Sequence, residues 1–371
     1  MNNKPNETVH ADRIARARAE MAARNVDAMI LSLGHDLPYL TGYHAMPLER
    51  LTLLVVPRSG DVSLLIPRLE APRVAPMPSV FGIVPWDETQ DPVALAHGLL
   101  AGARTVAVGD QMWSRFLVDL IVHRPDTKWV RSVEVMEPLR SRKDDAEIDA
   151  LRRAGAAADR VAAQLHAGEI PLVGRTEAEV SADISARLIA EGHDKVNFAI
   201  VAAGENAASP HHHPGDRVIR HGEIVLCDFG GTMDGYCSDI TRCVHIGEPS
   251  EDVARAYEVL KRAQAAGVAA GRAGLACQEV DRVTRAIIDE AGYGEWFVHR
   301  TGHGIGMEEH EDPYMVEGNT TPMAAGHAYS VEPGIYVPGK WGMRLEDIVV
   351  LTESGPEPMN RANHDLVVVP G

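Results

Sequence analysis

A carboxylate in the middle of an apolar strand is the feature that most restricts this chain. Asp228 falls inside the run "IVLCDFG" of the segment "EIVLCDFGGTMDGYCSDITRCVHIG", which reads as two short strands around a turn. A turn over Thr232 to Gly235 predicts a hairpin with Asp228 opposite Asp239 on the same face, their Cβ atoms about 5 Å apart. Two buried carboxylates that close cost several kcal/mol, so either one is protonated or a cation lies between them.

The arrangement recurs. In "HAYSVEPGIYVPGKWGMRLEDIVVLTESG" a turn centred on Gly339 places Glu332 opposite Glu346. Four carboxylates carry about four negative charges, which two divalent ions about 3.5 to 4 Å apart would neutralise. The stretch "TGHGIGMEEHEDP", Thr301 to Pro313, matches neither the dinucleotide-binding GxGxxG context nor HExxH. If His303 is an imidazole ligand, then Gly302, Gly304 and Gly306 let the backbone come close to the ions, and His310 stands nearby as a non-ligand. Oxygen-rich ligation with one imidazole suits Mn²⁺ or a similar ion better than a thiolate-seeking structural Zn²⁺.

The chain of 371 residues, 45% hydrophobic and 24% charged, is long enough for about two domains. A formal charge of −17 without a dense Lys/Arg cluster argues against nucleic acid as a partner. The N-terminal "MNNKPNETVHADR" has no apolar core of an export signal, and no stretch of about 18 apolar residues appears. A cytoplasmic protein that does not engage a membrane is the expectation. Cys227, Cys237, Cys243 and Cys277 form no CxxC pair and read as reduced core thiols.

The first stretch alternates a helical pattern, "ADRIARARAEMAARNVDA", with the apolar runs "AMILSL", "LTLLVVP", "VSLLIP" and "TVAVGD", as in a small α/β domain. A long amphipathic helix opens near Lys143 to Glu147, which places a domain boundary near residue 140. Beyond it come a helix capped by Thr176 and Glu179 and ending at Gly192, and two more after Ser250 and Cys277. With the two hairpins, these make a mixed α+β domain.

The ordered set Asp228, Asp239, His303, Glu332 and Glu346, in "DFGGTMDGYCSDITR", "TGHGIGMEEHEDP", "SVEPGIYV" and "GMRLEDIVVLTESG", resembles the pita-bread metallopeptidases, the family of methionine aminopeptidase, aminopeptidase P and prolidase. The resemblance implies an α+β architecture: a pita-bread catalytic domain over residues 140–371, preceded over 1–139 by a smaller creatinase/prolidase-type α/β domain. It implies two divalent metal ions on those five residues, Mn²⁺ first with Co²⁺ or Zn²⁺ possible, and a water between them that attacks the scissile carbonyl. Glu332 would be both ligand and proton acceptor. His211, in "SPHHHPGD" and 17 residues before Asp228, and His310 would line the pocket and bond the substrate; His212 and His213 read as loop residues. Arg344, two residues before Glu346, is expected to orient that carboxylate. Homodimers are common in the family.

The N-terminal domain points to cleavage before proline, in dipeptides (prolidase) or in longer peptides (aminopeptidase P). Many prolidases continue the second histidine motif as His-Glu-X-Pro-Arg, the arginine binding the dipeptide carboxylate. This chain reads "HEDPYM", with Tyr314 there instead. Longer substrates, or another cation, would account for the change. Arg50 and Asp36, in "GHDLPYLTGYHAMPLERLTLL", are candidates to bind the substrate carboxylate and amino group, with Tyr314 adding a hydrogen bond. Three rivals stand beside a proline-directed peptidase: a peptide-binding module without catalysis, another chemistry on the same metals, and a nucleotide-binding enzyme supported by "GHGIG" alone.

Overall fold

The structure, a computed structural model, describes residues 6–370; the first five residues of the segment read above as lacking an export signal lie outside them. The chain forms two compact units, one ending at Arg140 and the other beginning at Ser141.

The first unit has helices α1 (Glu7–Ala23), α2 (Asp36–Thr41), α3 (Pro92–Leu99), α4 (Ser114–His123) and α5 (Val133–Arg140). Its strands are β1 (Ala28–Leu31), β2 (Leu53–Pro57), β3 (Ser63–Pro67), β4 (Gly82–Trp86), β5 (Thr105–Val108) and β6 (Lys128–Arg131), in the sheet order β4-β3-β2-β1-β5-β6. β1 is buried along its whole length, which explains its unbroken apolar sequence where a half-exposed strand would alternate. The apolar runs read from the sequence are β1, β2, β3 and β5. β6 carries Lys128 and Arg131, and β4, though apolar, contains Gly82 and Pro85; both are only partly buried, as edge strands are.

The second unit repeats one order twice: two helices, then a sheet. Helices α6 (Asp145–His166) and α7 (Glu177–Ala190) precede β7 (Lys195–Ala203), β8 (Ile224–Met233), β9 (Tyr236–Cys237) and β10 (Ile240–Ile246). Helices α8 (Glu251–Ala270) and α9 (Cys277–Glu290) precede β11 (Gly302–Gly304), β12 (Glu311–Met315), β13 (Ala328–Val331), β14 (Gly334–Val337), β15 (Trp341–Arg344), β16 (Asp347–Thr352) and β17 (Gly355–Pro358). A last strand, β18 (Val367–Val369), returns to pair with β10. Both α6 and α7 start with complete capping boxes, Asp144 with Glu147 and Thr176 with Glu179. The apolar faces of α6 and α7 pack on the first sheet, around Val161, Leu165, Ile184, Cys227 and Phe229.

The first hairpin departs from its expected register. Thr232 pairs with Cys237 and Met233 with Tyr236, so Asp228 faces Thr241 and not Asp239. The cause is the turn: Asp234 (φ 51°) and Gly235 (φ 83°) are both left-handed, the two-residue Asp-Gly connection that right-handed strand twist favours. Centring the turn one residue later moves the pairing by two, and an even shift keeps both aspartates on one face. The second hairpin holds its expected register: Val331 pairs with Asp347 and Gly334 with Arg344, which brackets Glu332 and Glu346 between matched pairs.

The four cysteines are buried and form no disulfide. Burial pushes the thiol of Cys237 up to about 11 and that of Cys243 up to about 12, so both are inert at neutral pH. Among the described residues no helix is long and apolar enough to cross a membrane.

Candidate metal centre

The two five-stranded sheets of the second unit meet where Glu346 N–H donates to the carbonyl of Thr241, 3.3 Å away. Around that junction β8 supplies Asp228, the link from β9 to β10 supplies Asp239, β11 supplies His303, and the residues after β13 and β15 supply Glu332 and Glu346. All five line one pocket of about 760 Å³.

Ligand atoms of Asp239, His303 and Glu346 lie within 4.8 Å of one another. His303 Nε2 is 3.7 Å from Asp239 Oδ2 and 3.4 Å from Glu332 Oε1. The other ring nitrogen, Nδ1, is 3.0 Å from the carbonyl of Gly304, so the proton belongs there and the Nε2 lone pair faces the carboxylates. Burial, and then His310 beside it, lower the His303 pKa to about 3, which keeps the ring neutral.

Asp228, Asp239, His303 and Glu346 are between 2% and 6% exposed. Burial, then Glu346 and Asp228, raise Asp239 well above the usual carboxylate range. Burial, then Glu332 and Asp228, do the same to Glu346. Glu332 rises to about 7 through burial, against the pull of Arg344. Asp228 Oδ1 and Asp239 Oδ1 are buried and accept no hydrogen bond. Orphaned anionic oxygens beside an imidazole lone pair are a donor set that fits hard divalent cations.

Arg344 is the buried cation of the cluster. It donates to Asp228 Oδ2 (2.5 Å), the Tyr336 hydroxyl (2.9 Å), Thr241 Oγ1 (3.1 Å) and the Pro210 carbonyl (3.3 Å). Its direct carboxylate partner is therefore Asp228, and it reaches Glu346 through Thr241, whose hydroxyl donates to Glu346 Oε2 at 2.6 Å. Thr241 was not singled out in the sequence, although its spacing of two from Asp239 put it on the same strand face. Ser330 is a second such residue. It accepts from His303 N–H (3.0 Å) and donates to Glu332 Oε1 (3.2 Å), tying two members of the cluster together.

His211 and His310 line the pocket, with the His310 ring 3.9 Å from that of His303. Burial, then the neighbouring Arg300, hold His310 below its ordinary pKa. The loop carrying His211 is anchored by the next residue: His212 Nε2 is 2.7 Å from Oε2 of Glu177, a fully buried carboxylate. His213 is exposed. The three glycines near His303 serve neighbouring atoms of the chain, a different use from the one expected. A Cβ on Gly302 would come within 1.9 Å of the Ser330 carbonyl oxygen, and one on Gly304 within 2.4 Å of the Asp312 backbone. On Gly306 it would meet Glu311 Oε1 at 2.5 Å, where Glu311 forms a buried ion pair with Lys143.

In the first unit, Arg50 pairs with Glu88 at 2.7 Å and with Glu49, and Asp36 pairs with Arg140 at 2.8 Å. Tyr314 is partly buried on β12, its ring 4.4 Å beneath the guanidinium of Arg300.

Residues 149–353 match Metallopeptidase family M24, and residues 13–142 match the Creatinase/Prolidase N-terminal domain. A Mycobacterium tuberculosis protein named probable dipeptidase PepE is 44% identical over 367 residues, 98% of this chain and 97% of that one. The structure of dipeptidase PepE from Mycobacterium ulcerans superposes with a TM-score of 0.94 at 44% identity, covering 100% of both chains. That of a prolidase from Thermococcus sibiricus gives a TM-score of 0.90 at 33% identity over 96% of this chain and 98% of the other. On these matches the chain belongs to metallopeptidase family M24, in the branch that carries a creatinase/prolidase N-terminal domain.

Proposed function

We propose that the chain is a dinuclear metal-dependent Xaa-Pro dipeptidase, which hydrolyses the peptide bond before proline. The observation that carries this reading is the convergence of four carboxylates and a neutral imidazole in one pocket, in a chain similar to dipeptidases and a prolidase. Asp228, Asp239, His303, Glu332 and Glu346 would hold two divalent ions. Mn²⁺ suits the oxygen-rich set best, and Co²⁺ or Zn²⁺ is compatible with it. When bound, the ions would lower the pKa of the attacking water and polarise the scissile carbonyl.

The chain's own groups supply the rest. Glu332, oriented by the Ser330 hydroxyl, takes the proton of the attacking water. His211 and His310 bond the substrate and the tetrahedral oxygen. A neutral His310 offers one N–H donor without adding charge. Arg344 fixes Asp228 in direction. The family resemblance extends the reading to a cytoplasmic homodimer acting on proline-containing dipeptides or short peptides.

Hydrolysis of Met-Pro and of Met-Pro-Ala by the Mn²⁺-loaded protein, with an EDTA-treated control, tests it. Metal-dependent cleavage of Met-Pro in preference to the tripeptide is expected. Preference for Met-Pro-Ala would make the protein an aminopeptidase P, and cleavage that survives EDTA would remove the metal from the reading.

A further inference from the structure

Two arginines line the pocket, and they differ in what they hold. Arg344 is 3% exposed and spends its donors on Asp228, Tyr336, Thr241 and Pro210. Arg300 is partly exposed, and among the described residues its guanidinium has no carboxylate partner. It lies 4.4 Å over the Tyr314 ring, with Nη2 3.5 Å from His310 Nδ1. A guanidinium stacked on a ring keeps its in-plane N–H groups free, the geometry that receives a carboxylate on two parallel hydrogen bonds.

The backbone beneath Arg300 is held from several sides. His299 Nδ1 is 2.7 Å from the Arg300 carbonyl, and His299 Nε2 is 2.8 Å from the Tyr336 hydroxyl, which accepts from Arg344. Arg285 donates to the His299 carbonyl at 2.7 Å, and Thr301 N–H donates to Asp281 at 2.9 Å. Such bracing fixes where the side chain starts and reduces the entropy lost when it grips a ligand.

In an Xaa-Pro dipeptide the terminal carboxylate is three bonds from the scissile carbonyl carbon, within about 4 Å of it. A cation that grips it must therefore share the pocket with the residues that attack the carbonyl. Building on the dipeptidase reading, we propose that Arg300, stacked on Tyr314, is the receptor for the substrate's C-terminal carboxylate and sets the preference for dipeptides over longer chains. A longer peptide presents a neutral amide at that point and leaves the guanidinium unpaired, which penalises its binding. Tyr314 then serves as the platform for the cation. Arg50, the cation singled out in the sequence, already holds two carboxylates of its own unit.

The test compares Met-Pro with Met-prolinamide, which lacks only the charged carboxylate, in the Mn²⁺-loaded wild type, Arg300→Met and Arg300→Lys. The wild type should favour Met-Pro strongly. Arg300→Met should lower kcat/KM on Met-Pro about 100-fold, mainly through KM, and change that on the amide less than about threefold, with Arg300→Lys between. A circular-dichroism melt and the bound metal per chain identify a variant that has merely lost its fold or its ions. Equal losses on both substrates in a folded, metal-replete Arg300→Met would overturn the proposal, as would an unchanged KM for Met-Pro. A wild type that cleaves neither substrate would fail at the dipeptidase reading itself and take the clamp with it.

Discussion

At the scale of single residues, the centre is a set of carboxylates under stress, and small neutral groups govern how that stress is distributed. Thr241 accepts from Arg344 and donates to Glu346, so one hydroxyl relays the only buried positive charge among the described members of the cluster to a carboxylate it does not touch. Thr241→Val keeps the shape and removes the relay. We expect Mn²⁺ affinity to fall about 10- to 100-fold, with Thr241→Ser restoring it. Unchanged affinity in a calorimetric titration would mean that Glu346 needs no such support. The four carboxylates were legible because acidic residues in apolar hairpins violate the ordinary pattern, and His303 because its motif fits the family resemblance. Thr241, Ser330 and Arg300 were not, because a threonine on a strand, a serine before a glutamate and an arginine before a glycine-rich stretch are each ordinary in a sequence. Their significance comes from pairings across strands and from a ring fourteen positions away.

At the scale of elements, hairpin register places the carboxylates. The second hairpin was read in register because Gly339, at φ 70°, marks its turn. The turn of the first lies one position later than expected, because Asp234 and Gly235, the two left-handed residues, form its centre and not its second half. Helices with capping boxes were clear, while β6 lacks an apolar run and Gly82 and Pro85 interrupt that of β4. The β14–β15 hairpin also packs closely on the helical turn Gly204–Ala208: a Cβ on Gly342 would come within 1.8 Å of the Ala207 carbonyl oxygen. Gly342→Ala should cost about 3 kcal/mol or more and lower Tm by about 6–12 °C. The next loop carries Pro210 and His211, so hydrolysis should fall as well. Gly339→Ala meets nothing within 4 Å and should cost only the left-handed backbone penalty of about 1–2 kcal/mol. Equal Tm values for the two variants would contradict the close packing.

At the scale of the whole molecule, the centre couples stability to pH and to metal. Asp239, Glu332 and Glu346 have folded-state pKa values raised above their unfolded ones. Their contribution is fully present below the unfolded value of about 4 and is lost as pH rises through the folded values, about 7 for Glu332. His303 has the opposite effect: lowered to about 3, it costs stability as pH falls below about 6.5, because the unfolded chain then takes up a proton that the folded one refuses. Metal needs the carboxylates deprotonated, so binding strengthens as pH rises through their raised folded values, while the His303 ring is already neutral above about 3 and does not change over that range. The rise in Tm on adding Mn²⁺ should therefore grow between pH 5.5 and 8, and Mn²⁺ added in weak buffer near pH 6 should acidify the solution. A metal-induced shift that is flat over that range would show that these groups are not the ones that receive the ions. Other histidines, such as the partly buried His166 and the buried His327, both at about 4, titrate alike with and without metal and cancel in the difference.

The most direct test is a stoichiometric one. Metal-stripped protein is titrated with Mn²⁺ at pH 8 while Met-Pro hydrolysis and bound metal per chain are followed together. The account predicts negligible hydrolysis at zero metal and full activity once two ions are bound per chain. Full hydrolysis by the stripped protein, or none at two bound ions, would contradict it.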